Sequence, residues 1–280
     1  MKTRLLTLIT LVTTSCANLP YQTTSSKCLF PIDSAYLGGL INYSLDLDEI
    51  DLAERLELED LTFATCKSGS KLLILAPVPL AYPEKKVQLT LSNKVIASIK
   101  IADKSYRESR IEIQNNNFVN PSEVTQKRIK KEYTLGQKAK NTFTRKEVKQ
   151  VMMDKPLKGI ISSEFGVKRF INGQPRNRHI GLDIAANEGT PVQVPLAGNI
   201  ILSDNFFYKG NVVYIDHGDG LVSSYSHLSS RAVDVGQVVS SGEVLGFVGS
   251  TGRVTGPHLH WEVFYLGIPI NPEIFLKIKY

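Results

Sequence analysis

Short runs rich in alternating apolar and polar residues dominate the second half of the chain. Seven of these runs predict β-strands, because each contains β-branched or aromatic residues and ends at a cluster of Gly, Asp, Asn or Ser. They are residues 159–162, 191–194, 199–202, 211–215, 220–225, 237–239 and 258–266. Short strands repeated at this spacing are typical of an all-β domain.

The first half of the chain carries a second set of β-type runs. Residues 71–76, 86–91, 94–101 and 110–113 are apolar and β-branched, and Pro, Ser-Asn and Asp-Lys breakers separate them. This pattern predicts a small antiparallel sheet within a β-rich domain over residues 17–118.

A basic stretch connects the two β regions. Residues 121–149 contain nine Lys or Arg and three Glu, and they follow Asn120 and Pro121, which suit the cap and the first turn of a helix. We therefore predict a basic helical linker over residues 119–155. The fold predicted for the chain is mainly β, with an antiparallel-sheet domain over residues 156–280 after the linker.

Composition excludes several classes of protein. The chain has 280 residues, of which 42% are hydrophobic and 21% are charged, so it can bury a sizeable core and is not disordered as a whole. No run reaches the roughly 18 consecutive apolar residues that a membrane-spanning helix needs. The formal net charge of +6 is too small to predict nucleic acid as a partner.

The first residues predict export. Two basic residues precede an apolar run over residues 5–12, and small polar residues then lead to Cys16, which is the order found in a signal peptide. Residues 1–16 are therefore predicted to be a leader, with two alternatives for its removal. Lipid on Cys16 would anchor the protein to the cell envelope, whereas ordinary cleavage after Ala17 would leave it without an anchor.

Export also bears on the remaining cysteines. Either route of leader removal takes Cys16 out of disulfide chemistry and leaves Cys28 and Cys66 as an even pair. Exported proteins meet an oxidising compartment in which paired thiols are commonly bonded. We therefore predict a disulfide between Cys28 and Cys66.

All five histidines lie in the predicted all-β domain. His258 and His260 are two positions apart in a predicted strand, so their side chains share one face about 7 Å apart. His179 and Asp183 would be about 13 Å apart in a straight strand, and the glycine between them permits the bend that a shared site requires. Histidines combined with one carboxylate suit Zn²⁺ and leave one coordination position open.

Three motifs in this region resemble the signature of a known family. They are His179-x3-Asp183, Tyr225-Ser226-His227-Leu228 and Gly256-Pro257-His258-Leu259-His260. With the glycine-rich segments between them, they make residues 156–276 similar to the lysostaphin-like zinc endopeptidases of the LytM type, peptidase family M23. The resemblance implies an antiparallel sheet that forms the floor of a narrow substrate groove.

The resemblance also implies a role for each of five side chains. His179, Asp183 and His260 would hold one Zn²⁺, and His227 and His258 would be the catalytic pair beside it. Imidazole can accept or donate a proton near neutral pH. We assign His258 as the general base and His227 as its hydrogen-bonding or proton-transferring partner, with the order of these two roles left open.

The function that the resemblance implies is zinc-dependent hydrolysis of peptide bonds in the stem peptides or cross-links of peptidoglycan, with a D,D-endopeptidase favoured. We expect an exported protein, either in the periplasm or anchored to the outer membrane of the cell envelope. Peptidoglycan is the expected partner, an envelope regulator is a further hypothesis, and membrane contact is expected only through a lipid on Cys16. The alternative is a non-catalytic binding module of the same fold that activates cell-wall amidases. All five chemical positions are filled here, which favours the enzyme.

Three further hypotheses concern the surroundings of the groove. A segment of the first domain or of residues 140–158 is a candidate cover for it. Arg253, in the glycine-rich loop before His258, is a candidate contact for a carboxylate of the peptide. His217 is expected to be structural, in a turn over residues 216–220.

Overall fold

Strands account for most of the secondary structure, in agreement with the predicted mainly β fold. The computed structural model describes residues 28–48, 65–91, 94–146 and 150–277. The predicted leader and Cys16 lie outside these residues. In the described part of the chain, no helix combines the length and the apolar character that crossing a bilayer requires.

The described elements before residue 150 are six strands, a 3-10 helix and one α-helix. They are β1 (Leu40–Asp46), β2 (Thr65–Ser68), β3 (Lys71–Pro77), β4 (Lys86–Leu91), β5 (Lys94–Lys100), β6 (Glu108–Ile111), η1 (Asn116–Phe118) and α1 (Glu123–Lys140).

Between residues 150 and 277 the structure has twelve strands and a second 3-10 helix. They are β7 (Ile160–Ser163), β8 (Lys168–Ile171), β9 (Gln174–Arg176), β10 (Leu182–Ala185), β11 (Pro191–Gln193), β12 (Gly198–Phe206), β13 (Gly210–Gly218), β14 (Leu221–Arg231), β15 (Val238–Val239), β16 (Val244–Val248), β17 (His258–Tyr265), β18 (Ile268–Ile270) and η2 (Pro272–Phe275).

The upstream strands do not form the single antiparallel sheet that their sequence predicts. β1 and β2 pair antiparallel with opposite edges of β3, and β4 and β5 form a separate hairpin. β6 pairs in parallel with β8, with Glu108 opposite Lys168, and β9 completes this third sheet. A β-branched run predicts that a strand forms. Which strand it pairs with depends on packing against residues remote in sequence.

Helix α1 begins later than the sequence predicts. Ser122, not Asn120, is the N-cap, and its hydroxyl accepts a hydrogen bond from the Thr125 N–H at 3.3 Å. Pro121 therefore lies before the cap instead of within the first turn. The correction has a local cause, since a serine hydroxyl satisfies one of the backbone N–H groups that a first turn leaves without a partner.

A ten-stranded sheet is the platform that positions the histidines. Its main path runs β15-β12-β13-β14-β17-β10-β7, with β16 and β11 continuing from β14 and with β18 beside β17. Each neighbouring pair is antiparallel. Successive side chains of a strand point to opposite faces, so the two faces of this sheet carry different residues.

One face of the sheet forms the main apolar core. Ile184, Ile215 and Trp261 are fully buried there, and Leu40 and Leu75 from the upstream β1–β3 sheet pack into the same cluster. The upstream and downstream parts of the chain therefore share apolar contacts. Burying such side chains contributes about 1.5–3 kcal/mol each relative to leaving them exposed.

Helix α1 covers part of the opposite face. Ala139 of the helix is buried in an apolar cluster with Val222 and Phe264 of the sheet. His258 and His260 share the face of Phe264, because even-numbered residues of β17 point to one side. The helix therefore covers one end of this face and the histidines lie toward the other.

A two-residue turn joins β13 to β14. Asp219 and Gly220 have φ angles of 47° and 76°, and Gly218 pairs with Leu221. Positive φ at both central residues is the condition of a type I′ turn, which Asp-Gly favours. The turn is thus shorter than the one predicted over residues 216–220, because β13 continues to Gly218.

The predicted disulfide joins Cys28 to Cys66 at the start of β2. Replacing both residues by serine should lower the free energy of unfolding by roughly 2–4 kcal/mol, because the bond joins residues 38 positions apart and restricts the unfolded chain. Urea unfolding of the oxidised wild type and of the double variant measures the difference. Reduced wild type should match the double variant, and equal midpoints for all three samples would contradict the prediction.

Candidate metal centre

Three side chains converge at the paired strands β10 and β17. Asp183 lies directly opposite His260 in the antiparallel register, and His179 precedes β10 by three residues. Asp183 Oδ1 is 2.7 Å from His260 Nδ1 and 2.9 Å from His179 Nε2, and these two nitrogens are 3.0 Å apart. All three side chains are buried. The structure thus brings together the three residues that the family resemblance implied as metal ligands.

The hydrogen bonds behind the two imidazoles determine which nitrogens face the centre. His179 Nδ1–H donates to the carbonyl of Glu164 at 2.7 Å, and His260 Nε2–H donates to Glu262 Oε1 at 3.0 Å. His179 Nε2 and His260 Nδ1 therefore point toward Asp183 Oδ1, and three such atoms at this separation need a positive charge among them. Bonds of about 2.0 Å to a tetrahedral Zn²⁺ would set its ligand atoms roughly 3.3 Å apart. The donor set fits zinc, and the three atoms, 2.7–3.0 Å apart, are close enough together for one ion to bind all of them.

The electrostatics of this cluster attract a cation. Burial opposes ionisation of Asp183, but the close contacts with His179 and His260 outweigh it and hold the pKa of Asp183 well below its usual value. Burial also disfavours a charged His260, yet Glu262 and Asp183 raise the pKa of this ring in the absence of a metal. Positive charge is thus favoured at the position that a metal ion would occupy.

Gly181 allows the two parts of the centre to meet, for a reason other than the one inferred from the sequence. A Cβ atom at this position would lie 2.7 Å from His260 Cε1 and 2.7 Å from the carbonyl oxygen of Trp261. Carbon atoms that are not bonded to each other do not approach so closely. The chain between His179 and Asp183 therefore requires glycine because β17 packs directly against it.

Buried charged side chains lie next to His260 and orient its ring. Glu262, two residues further along the same face of β17, accepts hydrogen bonds from Lys209 and from the Ser224 hydroxyl through Oε2. Burial opposes its ionisation, but Lys209 and His260 outweigh this effect and lower the pKa of Glu262 strongly. A carboxylate behind a histidine ligand fixes the ring orientation and strengthens the donor nitrogen.

An arginine restrains the third ligand. Arg169 on β8 donates from Nη2 to Asp183 Oδ2 at 2.9 Å, so only Oδ1 of this carboxylate faces the two imidazoles. Burial lowers the pKa of Arg169, although Asp183 partly offsets the shift. The side chain of Arg169 is 29% exposed, and it therefore belongs both to the metal centre and to the adjoining surface.

His227 and His258 lie beside the three candidate ligands, and each ring bonds to a backbone carbonyl through the same nitrogen. Nδ1–H of His227 donates to the Thr251 carbonyl at 2.8 Å, and Nδ1–H of His258 donates to the Gly256 carbonyl at 2.8 Å. Each ring thus carries its lone pair on Nε2. The two ring centroids are 4.9 Å apart, and His258 Nε2 is 3.9 Å from Asp183 Oδ1.

The backbone of His227 is strained and firmly held. Its φ angle is 66°, which is uncommon for a residue with a side chain, and its N–H donates to the Lys209 carbonyl at 2.8 Å. Strain of this kind persists only where surrounding contacts impose it, and it is concentrated at functional sites.

Both of these imidazoles are uncharged at neutral pH. Burial lowers the pKa of His227 well below its usual value, and the neighbouring His260 and His258 lower it further. Burial also lowers the pKa of His258, an effect that Asp183 partly offsets. An uncharged imidazole with an available Nε2 can accept a proton from water.

Sequence reasoning missed three residues of the centre, namely Glu262, Arg169 and Lys209. Glu262 had a detectable signal, since it is two positions beyond His260 on a predicted strand and so shares its face. Arg169 and Lys209 had no local signal.

His217 is buried on the core side, where its ring bonds to the Ala197 carbonyl and the Ser223 hydroxyl, and burial lowers its pKa to about 4.

Comparison with known proteins finds similarity to one family in the region of this centre. Residues 177–272 match the profile of peptidase family M23. The DD-carboxypeptidase/endopeptidase Mpg of Neisseria meningitidis is 45% identical over 112 residues, which are 40% of this chain and 26% of that protein. The peptidoglycan DD-endopeptidase ShyA of Vibrio cholerae is 44% identical over 112 residues, again 40% of this chain and 26% of the relative.

A solved structure is similar over a longer part of the chain. The crystal structure of a Pseudomonas aeruginosa protein assigned to peptidase M23 matches with a TM-score of 0.67 and 28% identity, and the match covers 87% of this chain and 96% of that one. By contrast, this chain spans about a quarter of the length of the Neisseria and Vibrio relatives. Those two similarities therefore concern only part of each relative.

Gly181→Ala should weaken zinc binding by about tenfold or more, because the added methyl group displaces His260 from Asp183. Competition for zinc with a chromogenic chelator measures the affinity without reference to activity. Gly256→Ala is the matched control, since a Cβ at Gly256 meets nothing within 4 Å. Equal zinc affinities for the two variants would show that the close approach at Gly181 does not matter.

Proposed function

Because residues 177–272 of this chain form a peptidase family M23 domain, we propose that the protein is a zinc-dependent endopeptidase that hydrolyses peptide bonds of peptidoglycan. One observation carries this proposal. His179, Asp183 and His260 direct three donor atoms at a common point, and the uncharged rings of His227 and His258 lie beside it. A purely structural zinc site would have no need for the last two residues.

We assign His179 Nε2, Asp183 Oδ1 and His260 Nδ1 as the ligands of one Zn²⁺. When bound, the ion supplies a Lewis acid that polarises the carbonyl of a peptide bond. Glu262 and the Glu164 carbonyl hold the two imidazoles in the required tautomer, and Arg169 holds Asp183 with one oxygen forward. These contacts fix the ligands before any metal arrives, which lowers the cost of binding it.

His258 and His227 handle the proton. A water molecule that attacks the carbonyl carbon has two hydrogens, and Nε2 of each ring can accept one of them. His258, which is nearer to Asp183 and less buried, takes the proton and delivers it to the nitrogen of the leaving amine. His227, whose pKa burial lowers further, orients the water as the second acceptor.

The proposed substrate is the D,D cross-link of peptidoglycan. The name of the Vibrio cholerae relative states a peptidoglycan DD-endopeptidase, and that of the Neisseria relative states a DD-carboxypeptidase/endopeptidase. The five residues of the proposed site lie within the part of this chain that matches the M23 profile. A substrate of this kind lies outside the cytoplasm, so we also propose export through the leader of residues 1–16.

Incubation of the zinc-loaded full chain with purified sacculi should release muropeptides that mass spectrometry identifies as products of D,D cleavage. A chelator should abolish release, and added zinc should restore it. His258→Ala should lower the rate about 100-fold or more while the protein keeps its zinc, because proton transfer is lost. His260→Ala should lose both zinc and activity.

Two outcomes would contradict the proposal. Release of muropeptides at the wild-type rate by His258→Ala would remove this residue from the chemistry. A folded, zinc-loaded chain that binds sacculi without releasing any product, but stimulates an added amidase, would favour the non-catalytic binding module instead.

A further inference from the structure

Three arginines gather beside the metal centre. Arg169 and Arg176 are directly opposite each other in the β8–β9 pair, so their side chains share one face. Arg169 bonds to Asp183 of the centre. Arg253 comes from the loop whose Thr251 carbonyl holds His227, and its guanidinium lies 4.3 Å from the centre of the Tyr208 ring.

The positive charge of this group is not balanced. Arg169 has an acidic partner in Asp183, whereas Arg176 and Arg253 form no ion pair with any residue in the described part of the chain. Burial lowers the pKa of Arg253, and Arg169 and Arg176 lower it further, although Tyr208 opposes the shift. Like charges held this close cost free energy unless an anion joins them.

Arg176 also has hydrogen-bonding capacity to spare. Its Nη2 donates to the Gln174 side chain at 2.7 Å and to the Val119 carbonyl at 3.0 Å. Its Nε is buried and has no partner among the described residues. A buried donor without a partner is costly, so its presence indicates a group that is supplied from elsewhere.

Two backbone carbonyls of this chain already accept hydrogen bonds from these two arginines. The carbonyl of Phe118 accepts from Arg253 Nη1 at 3.3 Å, and the next carbonyl, that of Val119, accepts from Arg176. Arg176, at the end of β9, and Arg253, in the loop before β17, thus bind the carbonyls of two consecutive residues. The Phe118 ring packs 4.9 Å from that of Phe207, which holds the segment against the same surface.

We propose that Arg176 and Arg253 form a subsite for a free carboxylate of the peptide substrate, which the Phe118 and Val119 carbonyls occupy until the substrate enters. This inference rests on the proposed peptidase function. A carboxylate binds guanidinium by charge-assisted, often bidentate hydrogen bonds that are about twice as strong as those of a neutral carbonyl. It would also supply a negative charge to Arg176 and Arg253, which have no acidic partner among the described residues, and it can therefore displace the two carbonyls.

The substrate class follows from the position of this subsite. Arg253 is five residues before His258, and Arg176 is three residues before His179. A substrate that reaches both the catalytic pair and these arginines carries its carboxylate close to the bond that is cut. Amidation of that carboxylate removes the charge and one acceptor oxygen while leaving the size of the group almost unchanged.

The test compares two forms of one cross-linked muropeptide, with free carboxylates and with carboxamides. The zinc-loaded wild type should cleave the free form with a kcat/KM about tenfold higher, chiefly through KM. Arg176→Gln and Arg253→Gln should each bring this ratio toward one, and the corresponding lysine variants should fall between. Zinc content and melting temperature establish that each variant is folded.

Arg231→Gln is the matched control, because the guanidinium of this exposed arginine on β14 donates, among the described residues, to Ser203 alone. It should leave the ratio unchanged. Phe118→Ala should lower KM for both forms, since the segment that occupies the subsite loses its contact with Phe207.

Equal kcat/KM values for the two forms in the wild type, or an unchanged ratio in the Arg176 and Arg253 variants, would overturn the subsite and leave the peptidase function intact. Failure to cleave either form would instead count against the proposed function. In that case calorimetric binding of the same two peptides still decides the subsite, because loss of preference for the carboxylate in the glutamine variants supports it and equal binding rejects it.

Discussion

The antiparallel register of β10 and β17 is the constraint on which the candidate site depends. It places Asp183 opposite His260 and Ala185 opposite His258. A shift by one residue would turn the histidines of β17 into the apolar core and bring Trp261 to the surface. Burial of Trp261 on the other face therefore stabilises the register, and the main core and the candidate metal centre depend on the same pairing.

A pair of buried charged side chains is the second feature on which the centre depends. Glu262 and Lys209 are paired in the interior, where ions are costly unless their partners are well placed. Lys209 connects two parts of the site, since its ammonium group neutralises Glu262 behind His260 while its carbonyl holds the backbone of His227. Such a network contributes less to stability than an apolar core of equal size, but it orients side chains that the chemistry requires in one position.

The upstream chain takes part in the site more directly than the sequence indicates. Residues near Phe118 lie against Arg253 and Phe207, and reciprocal hydrogen bonds of 2.8 and 3.0 Å join Ile113 to Asn172 of the β8–β9 turn. The contact comes from the segment between β6 and α1, within the predicted first domain. This segment reaches the surface because β6, which precedes it, pairs in parallel with β8 and so directs the following residues there.

Sequence alone determined the mainly β character, the disulfide pair and the residues in the three motifs, because each is encoded locally by alternation, by cysteine count or by short spacing. The period of two also made Glu262 a detectable neighbour of His260. Only the tertiary structure decided which strands pair, why position 181 must be glycine, and that Arg169, Lys209 and Arg176 gather at the centre. Those contacts join residues that are distant along the chain. They form only when the chain folds, so a local sequence pattern cannot predict them.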